Sequence, residues 1–368
     1  MKLLIVGLSE NKTIRGVERY TLELIRGLSK NKNLEITVLC GEWQNYFFEL
    51  NLENIVIKKV NVRNTKLNRH LWHYFVMPFT FSEFDIIHVI NTNPILFRKG
   101  KPVVVTIHDL AEYFVLDKYG FYQRIYRRFV SWLVSKVATH IVTVSKYSKK
   151  TIHEVLSVDN AKISAIYLGV DHFDSNINDL ASFCEPELDG RDYLLYWGVL
   201  ERSKGVLEAI KGFVAFKKIC PRKDLSMVLA GKMGNAESDI SSYLTRDDIF
   251  YLGHVSDDSL KQLSLNAKAI VFPSKYEGFG FPPLEGFVFC DNVIASSTTS
   301  VGEITEKFAV QVVPEDINAI STAIYDVVKN PKCFTALEKR EVLKEFSWLK
   351  CANQTYDVYE KVSGADSR

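Results

Sequence analysis

Strand-length apolar runs alternate with amphipathic stretches along most of the chain, and their order predicts the fold class. Residues 2–7 form a continuous apolar run, residues 16–28 place apolar side chains at helical spacing, and residues 34–40 alternate as a strand does. A strand, a helix and a strand in that order build parallel sheets. Further strand-length runs follow at residues 55–60, 86–90, 103–107 and 140–144, with a helix over 121–137. Apolar periodicity is then lost over residues 172–190, where Asp, Asn, Ser and Pro concentrate, so this stretch reads as a linker. A second series begins with strands at 193–198, 226–230 and 249–252 and helices at 206–219 and 260–267. Strands at 269–273 and 292–295 follow, and residues 300–303 have capping-box spacing for another helix. The pattern predicts two α/β domains, 1–171 and 191–347, and an amphipathic terminal helix within 348–368.

Residues 274–285, Ser-Lys-Tyr-Glu-Gly-Phe-Gly-Phe-Pro-Pro-Leu-Glu, concentrate the candidate chemistry. They follow a buried-type strand, turn through two glycines and enter a helix opened by proline. Amides at a helix start carry unpaired donors and the positive end of the dipole, which suits a diphosphate. The carboxylates of Glu277 and Glu285 would repel phosphate and suit neutral hydroxyls, as on ribose or a hexose. Phosphate plus hydroxyls points to a nucleotide sugar. His108 and Asp109 end another buried strand, the edge at which open α/β sheets bind ligands. The loop after the first strand lacks Gly-x-Gly-x-x-Gly, so it is no dinucleotide fingerprint.

Length and charge narrow the picture further. A chain of 368 residues with 47% hydrophobic and 24% charged residues has room for two globular cores. The first residues turn polar too soon for a secretory signal and no apolar run is long enough to span a bilayer, so a cytoplasmic location is expected. Six cysteines without a Cys-x-x-Cys pair indicate neither a zinc site nor a disulfide framework. Residues 1–170 hold 24 Lys and Arg against 14 Asp and Glu, whereas the remainder holds 22 against 30. The basic first half suits a phosphate-bearing acceptor or an anionic membrane surface. The helix over 121–137 interleaves Arg124, Arg127, Arg128 and Lys136 with aromatic residues, which fits either ordinary packing with a solvated face or a membrane-contacting surface. His70 and His73, beside Trp72 and Tyr74, read as packing or as an acceptor-side loop, with no metal assigned.

Several pieces together resemble a known family. They are the Gly16 loop, His108-Asp109-Leu110, residues 143–146, residues 168–171, Gly198 through Gly205 with Arg202 and Lys204, residues 252–256, and the Glu277-to-Glu285 block. The chain resembles the retaining glycosyltransferases of family 4, and the last block is that family's Glu-x7-Glu signature. The resemblance implies the GT-B architecture, two Rossmann-like domains with parallel sheets facing across a cleft. It also implies that the terminal helix packs back on the first domain.

In residue terms, the resemblance has Arg202 and Lys204 hold the donor diphosphate, with Gly16 and the amides of Phe279 and Gly280 around it. Glu277 contacts the donor hexose, Glu285 the ribose, and His108 sits by the transferred sugar. Glu277, His108, Arg202 and Lys204 form the implied catalytic set. Gly198, Lys232, His254, Val255, Gly278 and Leu284 complete the implied donor site, Arg15 adds a contact where the family often has a second glycine, and Asp109 lies on the acceptor side. Glu303 reads as a helix cap or a sugar ligand.

The implied reaction transfers a hexose, mannose or rhamnose by expectation, from a nucleoside-diphosphate sugar to a lipid-linked oligosaccharide in surface polysaccharide assembly. It retains the anomeric configuration by front-face attack. No Asp-x-Asp occurs, so a metal-bridged diphosphate is not expected, no cofactor is implied and nucleic acid is not an expected partner. Two rivals share this kind of architecture or site: a nucleotide-sugar 2-epimerase, and a binding module without turnover.

Overall fold

Two parallel α/β sheets, each with its own core, account for the alternating pattern. The computed structural model describes residues 1–173, 188, 190–220, 222 and 224–365, so most of the stretch read as a linker lies outside the described residues. The chain divides into one unit of Met1–Gly169 with Phe346–Arg368, and a second of Val170–Glu345.

The first sheet contains β1 (Lys2–Val6), β2 (Glu35–Gly41), β3 (Ile55–Val60), β4 (Ile86–Val89), β5 (Val103–Thr106), β6 (His140–Thr143) and β7 (Ile163–Ala165) in the order β3-β2-β1-β4-β5-β6-β7. Its strand pairs are all parallel. Every residue of β4, β5 and β6 is buried, as expected of central strands covered on both faces. Each Val, Ile or Leu removed from water there contributes about 1.5–3 kcal/mol.

The second sheet contains β8 (Asp192–Trp197), β9 (Leu225–Ala230), β10 (Ile249–Gly253), β11 (Ala269–Phe272), β12 (Val293–Ser296) and β13 (Val310–Val312) in the order β10-β9-β8-β11-β12-β13. It too is parallel throughout. Each sheet reverses its winding once, between β1 and β4 in the first and between β8 and β11 in the second. At such a switch point the loops leaving the strand ends diverge and open a crevice at the carboxyl edge.

The terminal helix, Trp348–Ala365, belongs to the first unit. It lies against the first helix, Gly16–Leu28, where Gly27 permits the approach: a Cβ added there would lie 2.4 Å from that of Ala352. Deeper in, His88 of β4 bridges the Tyr359 hydroxyl at 2.6 Å and the Thr106 hydroxyl at 2.8 Å. The network satisfies polar groups in an otherwise apolar interior. Among the described residues no helix is long and apolar enough to cross a membrane.

Candidate active site

In the second unit the switch-point loops are joined by backbone bonds. The turn Arg202–Lys204 after β8 presents the Ser203 carbonyl, which accepts from the amides of Lys275 at 2.9 Å and Tyr276 at 3.3 Å and from the Ser274 hydroxyl at 3.2 Å. Gly205 ends the turn at φ +69°, and a Cβ there would lie 1.9 Å from the Pro273 carbonyl oxygen. Only glycine allows these loops to touch so closely. The consequence is local: the Lys204 ammonium donates to a Glu277 carboxylate oxygen at 2.5 Å. Side chains of both residues are largely shielded, at 22% and 14% exposure, so their attraction is less screened than at a free surface. The buried Tyr196 hydroxyl supports the turn by donating to the Lys204 carbonyl at 3.2 Å.

Glu277 is held from its other side by the Ser300 hydroxyl, which donates to its backbone carbonyl at 2.8 Å. This corrects the expected capping box. The helix runs Thr299–Thr305 with Thr298 at the cap position and no side-chain cap bond, leaving Ser300 inside the helix and free to reach the Glu277 loop. Gly280, at φ +98°, precedes the helix Phe281–Phe289, whose second position is proline as the sequence predicts. On that helix Leu284 is fully buried, whereas Glu285 faces His172, with Nε2 and Oε1 3.5 Å apart.

Arg202 points elsewhere. Its guanidinium donates through Nε to Asp239 at 2.5 Å and through a terminal nitrogen to the same carboxylate at 3.1 Å, and its side chain is 45% exposed. This forked bond lowers the Asp239 carboxyl below its ordinary range. Gly198, Lys232, His254 and Val255 lie in loops leaving β8, β9 and β10, so the same carboxyl edge carries them. Gly231 brings two of these loops together, because a Cβ there would lie 1.9 Å from the Gly198 carbonyl oxygen. Gly278 and Phe279 occupy the turn before Gly280.

The switch point of the first unit opens into a cavity of about 380 Å³. His108 and Asp109 line it, as the end of β5 predicts. His108 donates from Nε2 to the Ile90 carbonyl at 3.1 Å, and burial lowers its pKa despite the opposing charge of Asp109. Its imidazole is therefore neutral near pH 7, with Nδ1 left as an acceptor. Asp109 accepts from the Ala111 amide at 2.9 Å. Arg15 precedes the first helix, and Gly16 begins it with no atom within 4 Å of an added Cβ.

Two carboxylates of the cavity escaped the sequence reading. Glu18 is buried, and one oxygen accepts from the Ser9 hydroxyl at 2.9 Å and the Asn11 amide at 2.8 Å. Its other oxygen is buried without a hydrogen-bond partner among the described residues. Leaving such a group unpaired costs about 1–3 kcal/mol. Glu112 accepts from the Ser131 hydroxyl, and burial raises its carboxyl above the ordinary range. A sequence signal existed for Glu18, since it shares the inward stripe of the first helix with Leu22, Ile25 and Leu28. The basic side of the cavity contains Arg69, which binds Glu10 at 2.9 Å, with Lys66, Arg127 and His70. Burial first, then the charges of Lys66, Arg69 and Arg127, lower the His70 pKa.

Comparison with known proteins bears on the family and the fold. The profile of Glycosyltransferase Family 4 matches residues 14–172, and that of Glycosyl transferases group 1 matches residues 181–347. The chain is 24% identical to the O-antigen chain mannosyltransferase RfbU of Salmonella typhimurium over 94% of this chain and 97% of that protein. It is 25% identical to O-antigen chain mannosyltransferase B of Escherichia coli over 94% of this chain and 96% of that one. Among solved structures, Anabaena Alr3699/HepE in complex with UDP and glucose aligns with a TM-score of 0.71 at 15% identity, covering 98% of this chain and 100% of its own. The parallel sheets, the Glu277-to-Glu285 block and these matches place the chain in glycosyltransferase family 4, with the GT-B fold.

Proposed function

We propose that the chain transfers a hexose, mannose first among candidates, from a nucleoside-diphosphate sugar to a lipid-linked oligosaccharide, with retention of anomeric configuration. The Lys204–Glu277 pair at the switch point carries this reading. As the nucleoside diphosphate leaves, negative charge grows on its terminal phosphate. A lysine already fixed beside the sugar-binding carboxylate stabilises that charge without reorganising. Arg202 becomes a second cation only by leaving the Asp239 carboxylate that it binds in this structure, Glu277 orients hexose hydroxyls, and Glu285 accepts from the ribose. Gly198, Lys232, His254, Val255, Gly278, Phe279 and Gly280 complete the donor side in this reading, while the acceptor side falls to the first unit, where His108 and Asp109 line the cavity.

Mannose is favoured because two relatives spanning nearly the full chain are O-antigen chain mannosyltransferases. A cytoplasmic protein peripheral to an anionic membrane fits the helix Phe121–Val137, where Phe121 and Tyr122 are 62% and 85% exposed beside arginines. Incubation with GDP-mannose, UDP-glucose and dTDP-rhamnose, with and without isoprenyl-diphosphate-linked saccharides, tests the reading. Acceptor-dependent release of nucleoside diphosphate is expected, persisting in EDTA, and the one-bond carbon–hydrogen coupling at the product's anomeric carbon reports retention. Conversion of a donor to its epimer without acceptor would replace transfer by epimerisation, and no turnover of any donor would leave a binding module.

A further inference from the structure

The chain enters the second unit at Val170, and the residues that follow fold at once onto a helix of that unit. The Phe173 amide donates to the Val170 carbonyl at 2.8 Å, closing a turn that sets His172 and Phe173 side by side. Phe173 is buried, and its ring meets that of Phe289 at 5.6 Å. The His172 ring stands edge-on to Phe281 at 6.3 Å and brings its Nε2 to 3.5 Å from Oε1 of Glu285. Phe281, Glu285 and Phe289 are four residues apart on the helix Phe281–Phe289 and so share one face. That face presents a phenyl, a carboxylate and a phenyl, and the His-Phe pair covers it in register.

The flanking aromatic contacts fasten the segment; the middle contact does something else. The His172 and Glu285 side chains are only 5% and 13% exposed. An apolar pair at these positions would fill the same space without the desolvation cost of an imidazole against a carboxylate, so packing alone does not account for the choice. Among the described residues His172 is the only side chain paired with the Glu285 carboxylate. A carboxylate offers about four acceptor positions, so one imidazole leaves it room to accept hydroxyls from a ligand. A free glutamate must be ordered when it binds, at a cost in conformational entropy, and a glutamate already held in one place is spared most of it.

We infer that His172 is a positioning residue for the donor's nucleoside: it fixes the Glu285 carboxylate where the ribose hydroxyls arrive, and so sets the preference for a ribonucleotide over one that lacks those hydroxyls. This rests on the proposed reading in which Glu285 accepts from the ribose, and adds the residue that aims it.

Calorimetry on the full chain with GDP and 2′,3′-dideoxy-GDP, and with UDP and 2′,3′-dideoxy-UDP, reads that preference as a ratio of dissociation constants. Wild type is expected to bind the ribose form of at least one pair about tenfold more tightly, and Glu285→Ala to erase the ratio. His172→Phe fills the slot with a ring that has no N–H. It should cut the ratio about fivefold by weakening the ribose form while the dideoxy form binds as before. His172→Gln keeps an N–H and should retain most of the ratio. In the Glu285→Ala background, His172→Phe should change neither constant, because the two residues act through one contact. Melting temperatures report folding separately. The reverse order, with His172→Phe keeping the preference and His172→Gln losing it, overturns the inference and leaves the ring as packing. An unchanged ratio in His172→Phe, beside a lost ratio in Glu285→Ala, overturns the inference alone. A ratio that survives Glu285→Ala, or a wild type that binds none of the four nucleotides, overturns the ribose reading and the inference with it.

Discussion

The two sheets open at equivalent switch points, yet their edges are built from different material. In the second unit the edge is made by backbone: Gly205 and Gly231 sit at φ +69° and +133°, each with a carbonyl oxygen 1.9 Å from where a Cβ would be. In the first unit it is made by side chains, Glu18, Glu112, Arg69 and His70, while Gly16 has open space around its missing Cβ. A site formed by touching loops accepts one residue type, so it leaves a motif. A site formed by side chains can be satisfied by several residue types from distant segments, so it leaves little that a single sequence reveals.

The sharpest way to break this contrast is to make one substitution on both edges. Gly205→Ala drives a methyl into the Pro273 carbonyl at a backbone angle hostile to alanine, and we expect a loss of about 4 kcal/mol or failure of the second unit to fold. Gly16→Ala meets nothing and removes freedom from the unfolded chain, so its stability should change by less than about 1 kcal/mol, in the stabilising direction. Urea unfolding of both variants, with Trp197 as the second unit's tryptophan, reads the difference. Equal effects would remove the distinction between a backbone edge and a side-chain edge.

A smaller effect separates charge from scaffold at the same edge. Lys204→Met should lower turnover about 10²-fold, roughly 2.7 kcal/mol of transition-state stabilisation, and also destabilise the fold by leaving the shielded Glu277 without its cation. Adding Glu277→Gln should restore stability without restoring turnover, because the replacement is neutral but supplies no positive charge. Donor-saturated rates and melting curves on the two variants check this. Recovery of turnover in the double variant would show that the pair acts only as a strut.

Legibility followed the same division. The strand and helix alternation, the Gly-Phe-Gly turn and the placement of His108 at the end of β5 were open to reading, because periodicity and strand ends depend on local sequence. Glu18 and Glu112 are not legible in the sequence, since a carboxylate on an inward stripe looks like an irregularity until a cavity is seen beside it. Ser300 reads as a cap because its spacing to Glu303 is right. The tertiary bond to the Glu277 carbonyl, which no local pattern encodes, is what the side chain makes instead. Arg202 likewise showed its charge but not its forked bond to Asp239, 37 residues away.

The gentlest test uses acid, and its sign follows from where the histidines lie. Six of the eight histidines fall in the first unit, and three of them, His73, His88 and His140, are buried in it. Burial pulls His73 and His88 down to about 3 and His140 to about 4 from an ordinary 6.5, because each ring is removed from water where its charged form would be hydrated. The unfolded chain therefore takes up protons first as pH falls below about 6.5. The first unit loses stability steadily from there until the native rings themselves protonate near pH 3–4. At pH 6 each ring costs about 0.8 kcal/mol, roughly 2.5 kcal/mol for the three, and the cost grows with further acidification. The second unit contains only His172 and His254. Hydrogen exchange followed by mass spectrometry between pH 7 and pH 5, corrected for the intrinsic rate, should show β4, β6 and the segment 72–77 losing protection while β8 and β9 hold theirs. Parallel loss in both units would mean that the acid response is set outside these buried rings. A side-chain-built unit would then have no acid liability of its own.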